Sequence, residues 1–113
     1  DRPLSIMEDA ETYFLQADFI GATMKASIAV ELAARLALLR VGVSSRELRG
    51  ASFSKILNLL FHRGILEMRD LKQLQELRYL RNATIHEGKT PSRETTAWVL
   101  KLAREIVEKI KPR

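Results

Sequence analysis

The chain of 113 residues contains no cysteine and only two histidines. The absence of cysteine excludes a disulfide scaffold, a thiolate metal site and a cysteine nucleophile, and it favours a cytoplasmic protein. Neither His62 nor His86 stands in a His-x-x-x-His or Glu-x-x-His spacing, so the sequence indicates no metal site. We therefore expect chemistry that needs neither a metal ion nor another cofactor.

Glycine and proline are scarce, at five and three residues, and no glycine-rich phosphate loop is present. The longest apolar stretches are interrupted by Lys25, Glu31 and Arg35, and no secretory signal is visible. These absences predict a protein that does not enter a membrane. The length suits one core, so we expect a single domain over residues 1–113.

Apolar side chains recur at intervals of three and four residues along most of the chain, which predicts an all-α fold. Gly64 and Gly88 are expected to end the third and fourth helices. Thr90 is the expected N-cap of the last helix with Pro91 at its first position, and Ser92 competes for the cap. The predicted helices cover residues 4–16, 18–40, 53–63, 68–87 and 91–111.

The remaining segment of residues 41–52 contains two glycines and is expected to be a connector. Helices of these lengths joined by short loops favour an antiparallel up-and-down arrangement. The predicted architecture is a four-helix bundle with one additional short helix.

Positive charge is concentrated in the second part of the chain. Residues 1–40 carry four Lys or Arg and six Asp or Glu, a net charge of −2, whereas residues 41–113 carry 15 and eight, a net charge of +7. A basic segment suits a polyanionic partner such as RNA or a nucleotide. Solvated lysine-rich helix faces produce the same imbalance, so charge alone leaves both interpretations open.

An arginine occupies an apolar position on the predicted helix 68–87. On a helical wheel of about 100° per residue, Leu74, Leu77 and Ile85 define one apolar face, and Arg81 falls inside it. A guanidinium left unpaired in an apolar setting is costly. Arg81 must therefore pair with an acid, extend to solvent, or face a cleft that receives an anion.

The preceding long helix offers Arg81 a partner. A narrow polar line recurs there every four residues, formed by Thr23, Ser27, Glu31 and Arg35. We predict that Glu31 holds Arg81. Two interpretations remain open at this point: a structural ion pair between two bundle helices, or an arginine positioned for an anion.

A polar stripe of Arg78, Asn82 and His86 borders the apolar face of the same helix. Histidine exchanges a proton near neutral pH, as general acid–base chemistry requires. A lone histidine in the last turn of a helix also serves simply as a favourable charge at the helix end. The other histidine, His62, has only Arg63 and Gly64 nearby, and we assign it no role.

The segment "LRYLRNATIHEGKTPSRETTAWVLKLAREIVEKI" resembles the C-terminal half of HEPN domains. Their hallmark is an arginine, then a polar residue that is often asparagine, and a histidine further on; Arg81, Asn82 and His86 match, with four residues between Arg81 and His86. The segment "DFIGATMKASIAVELAARLALL" is similar to the second helix of the family, and "SKILNLLFHRGIL" is similar to the segment before the motif helix. The resemblance covers nearly the whole chain.

This resemblance implies a four-helix up-and-down bundle that dimerises, with the motif helices of two protomers facing each other. It also implies a metal-independent endoribonuclease, toxin-like or defence-related. In such an enzyme the ribose 2′-hydroxyl attacks the adjacent phosphate and leaves a cyclic phosphate and a free 5′-hydroxyl. In that scheme Arg81 stabilises the phosphate charge, His86 transfers the proton and Asn82 orients them.

Further charged residues complete the predicted site. Arg78 and Lys89 are expected to contact phosphate together with Arg81, and Glu31 is expected to support Arg81. Arg81 and His86 lie about 140° apart on the wheel, so one regular helix does not aim both at one phosphate. A site assembled across a two-fold homodimer eases this geometry.

One position departs from the pattern of the family. In toxin members that are neutralised by a nucleotidyltransferase antitoxin, a modified tyrosine follows two residues after the histidine, and here that position is Gly88, with Tyr79 the nearest tyrosine on the helix. Two alternatives to an active nuclease stand beside it. One is a non-catalytic HEPN module that binds RNA or a nucleotide, or that partners a nucleotidyltransferase. The other is a dimerisation scaffold in which Arg81 and Glu31 form a structural pair.

Overall fold

The computed structural model describes residues 1–111, which fold into six α-helices with no β-strand. The all-α class predicted from the sequence is confirmed. Two short helices, not one, fill the connection between the second and fifth helices. The bounds are α1 Arg2–Leu15, α2 Phe19–Arg40, α3 Ser45–Arg49, α4 Phe53–His62, α5 Met68–Glu87 and α6 Arg93–Ile110.

Side-chain contacts between α1 and α6 show how these two helices run relative to each other. Arg104 Nε in the middle of α6 donates to Glu11 Oε1 of α1 at 2.8 Å. The guanidinium carbon of Arg93, the first residue of α6, lies 5.6 Å from the ring centre of Phe14 and 5.1 Å from that of Phe19. Because the start of α6 meets the end of α1, these helices are antiparallel, and α1, α2, α5 and α6 alternate in direction.

α2 is the central helix of the bundle and packs against α1 and α6. Its buried positions are mostly alanines, which allow the neighbouring helices to approach closely. Larger side chains from the surrounding helices fill the remaining space, among them Met7, Leu60, Leu74 and Ile106, all almost fully buried. The buried alanines are Ala22, Ala26, Ala29, Ala33, Ala34 and Ala37.

The segment predicted as a plain connector contains α3, so that expectation was wrong. The Ser44 hydroxyl accepts the backbone N–H of Glu47 at 3.1 Å and caps the helix. At its other end, the guanidinium of Arg35 donates to the carbonyl oxygens of Leu48 and Ala51. The capping hydroxyl of Ser44 and the guanidinium of Arg35 therefore stabilise α3, which is too short to form alone.

The predicted helix ends are confirmed at the glycines but not at the start of α6. Gly64 and Gly88 adopt φ values of 74° and 66°, the left-handed conformation that suits glycine just after a helix. The N-cap of α6 is Ser92, whose hydroxyl accepts the backbone N–H of Thr95 at 3.0 Å. Thr90 and Pro91 therefore precede the helix, because the competing cap supplies the hydrogen bond.

A buried carboxylate joins the start of α5 to the end of α6. Asp70, which is 4% exposed, accepts the backbone N–H of Glu67 at 3.1 Å and the ammonium of Lys109 at 2.6 Å. Burial by itself raises the pKa of Asp70, but the hydrogen bonds from Lys109 and Glu67 and the charges of Lys109 and Arg69 outweigh it. The pKa of Asp70 therefore lies below its ordinary value.

Lys109→Met is expected to lower the free energy of unfolding near neutral pH by about 1–3 kcal/mol, because it leaves the Asp70 carboxylate buried without its cation. Urea denaturation measures this loss. The exposed lysine of the same helix, Lys101, makes no ion pair within residues 1–111. A Lys101→Met variant is therefore the matched control and should unfold like the parent.

The same carboxylate makes stability depend on pH. Since the pKa of Asp70 is lower in the folded state, its contribution is fully present above the ordinary aspartate pKa and is lost as pH falls through the folded value. An Asp70→Asn variant should lose less stability than the parent over that acidic range. An equal loss in both proteins would contradict this assignment.

Candidate functional site

The arginine of the motif is half-buried between three helices. The Arg81 side chain on α5 is 27% exposed, and its NH1 atom lies 4.0 Å from Glu31 Oε1 of α2. Its guanidinium carbon lies 5.3 Å from the ring centre of Phe53, the first residue of α4. The contact predicted between Glu31 and Arg81 is present. Arg81 therefore rests on an aromatic ring with a carboxylate at its side.

Glu31 serves two arginines. Arg35 Nε, one turn further along α2, lies 4.0 Å from Glu31 Oε2, and the Glu31 side chain is 30% exposed. The same Arg35 binds the carbonyl oxygens of Leu48 and Ala51, which fixes the chain just before Phe53. Through Arg35, the α3–α4 junction is placed against the surface where Arg81 lies.

The local charge is positive. One carboxylate, Glu31, faces two guanidiniums, and Arg78 stands one turn before Arg81 on the same side of α5. Within residues 1–111 the guanidinium of Arg81 makes no hydrogen bond, since its ion-pair partner Glu31 lies 4.0 Å away, so its five N–H donors are open. A half-buried guanidinium with open donors is suited to phosphate or carboxylate oxygens.

The other predicted site residues lie on the outer side of α5 and after its end. Asn82 is half-buried and His86 is exposed, and no hydrogen bond holds either side chain within the part of the chain that the structure describes. Lys89 is 70% exposed and pairs at 3.9 Å with Glu87. Lys89 is thus an exposed surface charge, whereas Arg81 contacts two other helices.

The structure does not bring Arg81 and His86 of one chain together. On the regular helix α5 they are about 140° apart around the axis and about 7.5 Å apart along it, and no hydrogen bond or ion pair joins them in residues 1–111. Ile85, predicted to share the buried face, is 47% exposed. α4 begins at Phe53, next to Arg81, so the last turn of α5 extends past α4 and leaves Ile85 uncovered.

Phe53 was missed from the sequence as part of the site. The only local signal was an aromatic residue at a helix start behind the capping residue Ser52, whose hydroxyl accepts the Lys55 N–H at 3.1 Å. That signal does not reveal which arginine the ring will meet. The sequence signal for Arg35 was clearer, since Arg35 follows Glu31 by four residues on the polar line of α2.

Among residues 1–111, no three His, Asp or Glu side chains lie close enough together to hold a metal ion. In the same residues no helix is both long enough and apolar enough to cross a membrane.

Comparison with known proteins yields one family. The family model described as a domain of unknown function, DUF4145, matches residues 18–111, which contain α2 to α6 and all of the site residues named above. No curated protein and no solved structure matches the chain.

The contacts of Arg81 generate a stability prediction. Arg81→Ala should lower the free energy of unfolding, because it removes both the ion pair with Glu31 and the contact with Phe53. The double-mutant cycle should give a coupling of about 0.3–1 kcal/mol, as expected for a partly exposed pair. The control cycle uses Glu87 and Lys89, which lie 3.9 Å apart but are 54% and 70% exposed. A coupling there as large as that of Glu31 and Arg81 would contradict the assignment.

Proposed function

The chain belongs to the DUF4145 family, whose description assigns no function, and we propose that it is a HEPN-type RNA-processing module that cleaves RNA without a metal ion. The observation that carries the proposal is the half-buried Arg81, which is held by Glu31 and Phe53 with its donors open, on the same helix as an exposed histidine, His86, about one and a half turns further on. In this proposal the activity is toxin-like or defence-related. It would act in the cytoplasm, on RNA.

The residue types suit transesterification of RNA. His86 of one protomer removes the proton of the ribose 2′-hydroxyl, and the 2′-oxygen forms a bond to the adjacent phosphorus. The bond from phosphorus to the 5′-oxygen breaks, and a protonated His86 of the second protomer donates its proton to that oxygen. Arg81 stabilises the charge on the phosphate oxygens, and Asn82 orients the phosphate by hydrogen bonds. The products are a 2′,3′-cyclic phosphate and a 5′-hydroxyl.

Arg78 and Lys89 have a different role in this proposal. Their side chains reach phosphates on either side of the cleaved bond, and both add to the positive field around Arg81. Because Lys89 is largely exposed, its contribution should fall with salt concentration more steeply than that of Arg81.

The homodimer in this proposal is supported by α2. A helix that is apolar over most of its surface is normally buried over most of it, but α2 leaves one apolar face uncovered. Ile28, Leu36 and Leu39 on that face are 47%, 40% and 44% exposed. This face borders Glu31 and Arg35, so a second copy packed on it would carry its own Arg81 and His86 to the same side of the assembly.

RNA cleavage in the presence of EDTA tests the activity. The parent should convert RNA to fragments ending in 2′,3′-cyclic phosphate and leave DNA of the same sequence intact, because DNA lacks the 2′-hydroxyl. His86→Ala and Arg81→Ala should each reduce the rate by about a hundredfold or more.

The second histidine supplies the control for that assay. His62 is exposed at the end of α4, on a different helix from the motif, so His62→Ala should cleave at the parent rate. Equal trace activity in the parent and in His86→Ala would show that the cleavage comes from a contaminant and would overturn the proposed enzyme.

One observation favours a second function, a non-catalytic module that binds RNA or a nucleotide. Within residues 1–111, no partner orients the His86 side chain, whereas Arg81 is held on two sides. In that case nucleotide or RNA binding should depend on Arg81 and be unaffected by His86→Ala. Such a module would act through a partner, for which a nucleotidyltransferase antitoxin is the candidate that the sequence resemblance suggests.

The dimer has a test of its own. Ile28→Glu combined with Leu36→Glu should shift the sedimenting species from dimer to monomer and abolish cleavage, because it places charges on the uncovered face of α2. Leu15→Glu, at the end of α1 and 85% exposed, adds the same charge elsewhere and should leave the dimer intact. A parent protein that sediments as a monomer at high concentration would contradict the dimer.

A further inference from the structure

α5 and α6 enclose a groove that is lined by none of the three motif residues Arg81, Asn82 and His86. Three cavities follow one another between the two helices, with volumes of about 140, 460 and 270 Å³. Gln73 and Trp98 line both the first and the second cavity, and Leu80 and Thr95 line both the second and the third. The three cavities therefore form one continuous groove, which we call the α5–α6 groove.

The α5–α6 groove is fixed at both ends. At one end the Asp70–Lys109 pair joins the start of α5 to the end of α6, and at the other the short turn of residues 88–92 joins the helices through the chain. Its lining on α5 runs from Gln73 to Thr84, about 16 Å at 1.5 Å per residue. Such a length accommodates about five residues of an extended peptide.

The central cavity combines an indole ring with two unpaired carboxylates. Trp98 is half-buried and packs against the core, with Glu94 one turn before it on α6 and Glu76 opposite on α5. Within residues 1–111, no Lys or Arg nitrogen lies within 4.0 Å of either carboxylate. The centre of the groove is thus negative on a chain whose net charge is +5.

Each end of the groove carries a lysine. Lys101 and Glu105 line the first cavity, and Lys89 lines the third. Apolar surface from Leu80, and from Pro91 in the third cavity, completes the lining. A complementary ligand therefore needs one cation at its centre with apolar or neutral groups on both sides.

We propose that the α5–α6 groove binds an arginine-bearing segment of a partner protein. A guanidinium is planar, stacks on an indole and pairs with carboxylates, so Trp98, Glu76 and Glu94 together match it better than they match an ammonium. RNA is disfavoured, since both carboxylates of the central cavity repel phosphate. Leucine-type side chains beside the arginine fit against Leu80 and Pro91.

The centre of the groove and Arg81 face different sides of α5, and Lys89, at one end of the groove, is the predicted phosphate-binding residue that also lines it. On the helical wheel, Glu76 and Leu80 lie at about 140° and 180°, whereas Arg81 and Arg78 lie at about 280° and 340°, with Leu71 at the origin. A segment bound in the groove leaves the Arg81 side of the helix free. The inference does not rest on the proposed nuclease activity, and it holds equally for a non-catalytic module.

Trp98 makes the test direct, because it is the only tryptophan in the chain. The probe is a blocked synthetic peptide with one arginine between leucines, and its twin carries glutamine in place of the arginine. The arginine peptide should change Trp98 fluorescence saturably, and the glutamine twin should bind at least about tenfold more weakly. Raising the salt concentration should weaken only the arginine peptide.

Variants separate the groove from general acidity. Glu76→Gln and Glu94→Gln should each weaken the arginine peptide by about fivefold or more, whereas Glu108→Gln, which removes an exposed carboxylate of α6 outside the groove, should bind like the parent. Arg81→Ala should also leave the peptide titration unchanged. Circular dichroism of each variant confirms that it is folded.

Three results would overturn the proposal. One is the absence of a saturable fluorescence change with the arginine peptide, and another is equal binding of the glutamine twin. The third is an RNA oligonucleotide that displaces the peptide from the parent protein, which would make the α5–α6 groove part of a nucleic-acid surface.

Discussion

The carboxylate of Glu31 is the constraint on which the candidate site depends. It lies on the central helix α2, 4.0 Å from a guanidinium nitrogen of Arg35 and 4.0 Å from one of Arg81. Arg35 connects Glu31 to the α3–α4 junction, because it binds the carbonyl oxygens of Leu48 and Ala51, and that junction places Phe53 beside Arg81. One acidic side chain therefore controls both the ionic and the aromatic contact of the motif arginine. Without it, two half-buried guanidiniums would lack their carboxylate partner.

The free energies of these contacts indicate that Glu31 and Phe53 orient Arg81 more than they stabilise the fold. A partly exposed ion pair contributes at most about 1 kcal/mol, and a guanidinium over a ring adds a similar amount, about 0.5–1 kcal/mol. Full burial of a single leucine-sized side chain contributes about 1.5–3 kcal/mol, and residues such as Leu60 and Leu74 are completely buried. The core would survive the loss of Glu31, but the position of Arg81 would not. Such a balance is typical of a site that spends little stability on holding a functional group in place.

Much of the fold was predictable because it follows from repeating local rules. Helical spacing predicts α5 at residues 68–87, as observed, and glycine conformation predicts where α4 and α5 end. The polar line of α2 and the pairing of Glu31 with Arg81 were also within reach. The features that the sequence did not reveal depend on tertiary contacts. α3 is stabilised because Arg35 donates a hydrogen bond to the carbonyl oxygen of Leu48. Ile85 is exposed because α4 does not extend far enough to cover it. The function itself stays a prediction.

α5 combines these features because its own buried surface is so small. Only Leu71, Leu74 and Leu77 among its large apolar side chains are buried, and Arg81, the polar stripe and the α5–α6 groove occupy most of the remaining circumference. A helix with so narrow an apolar stripe gains little from packing and must be fixed at its ends. The Asp70–Lys109 pair restrains the start of α5 against α6, and the left-handed Gly88 ends the helix about two turns after Arg81. Separate surfaces on opposite faces of α5 are therefore compatible with one rigid helix.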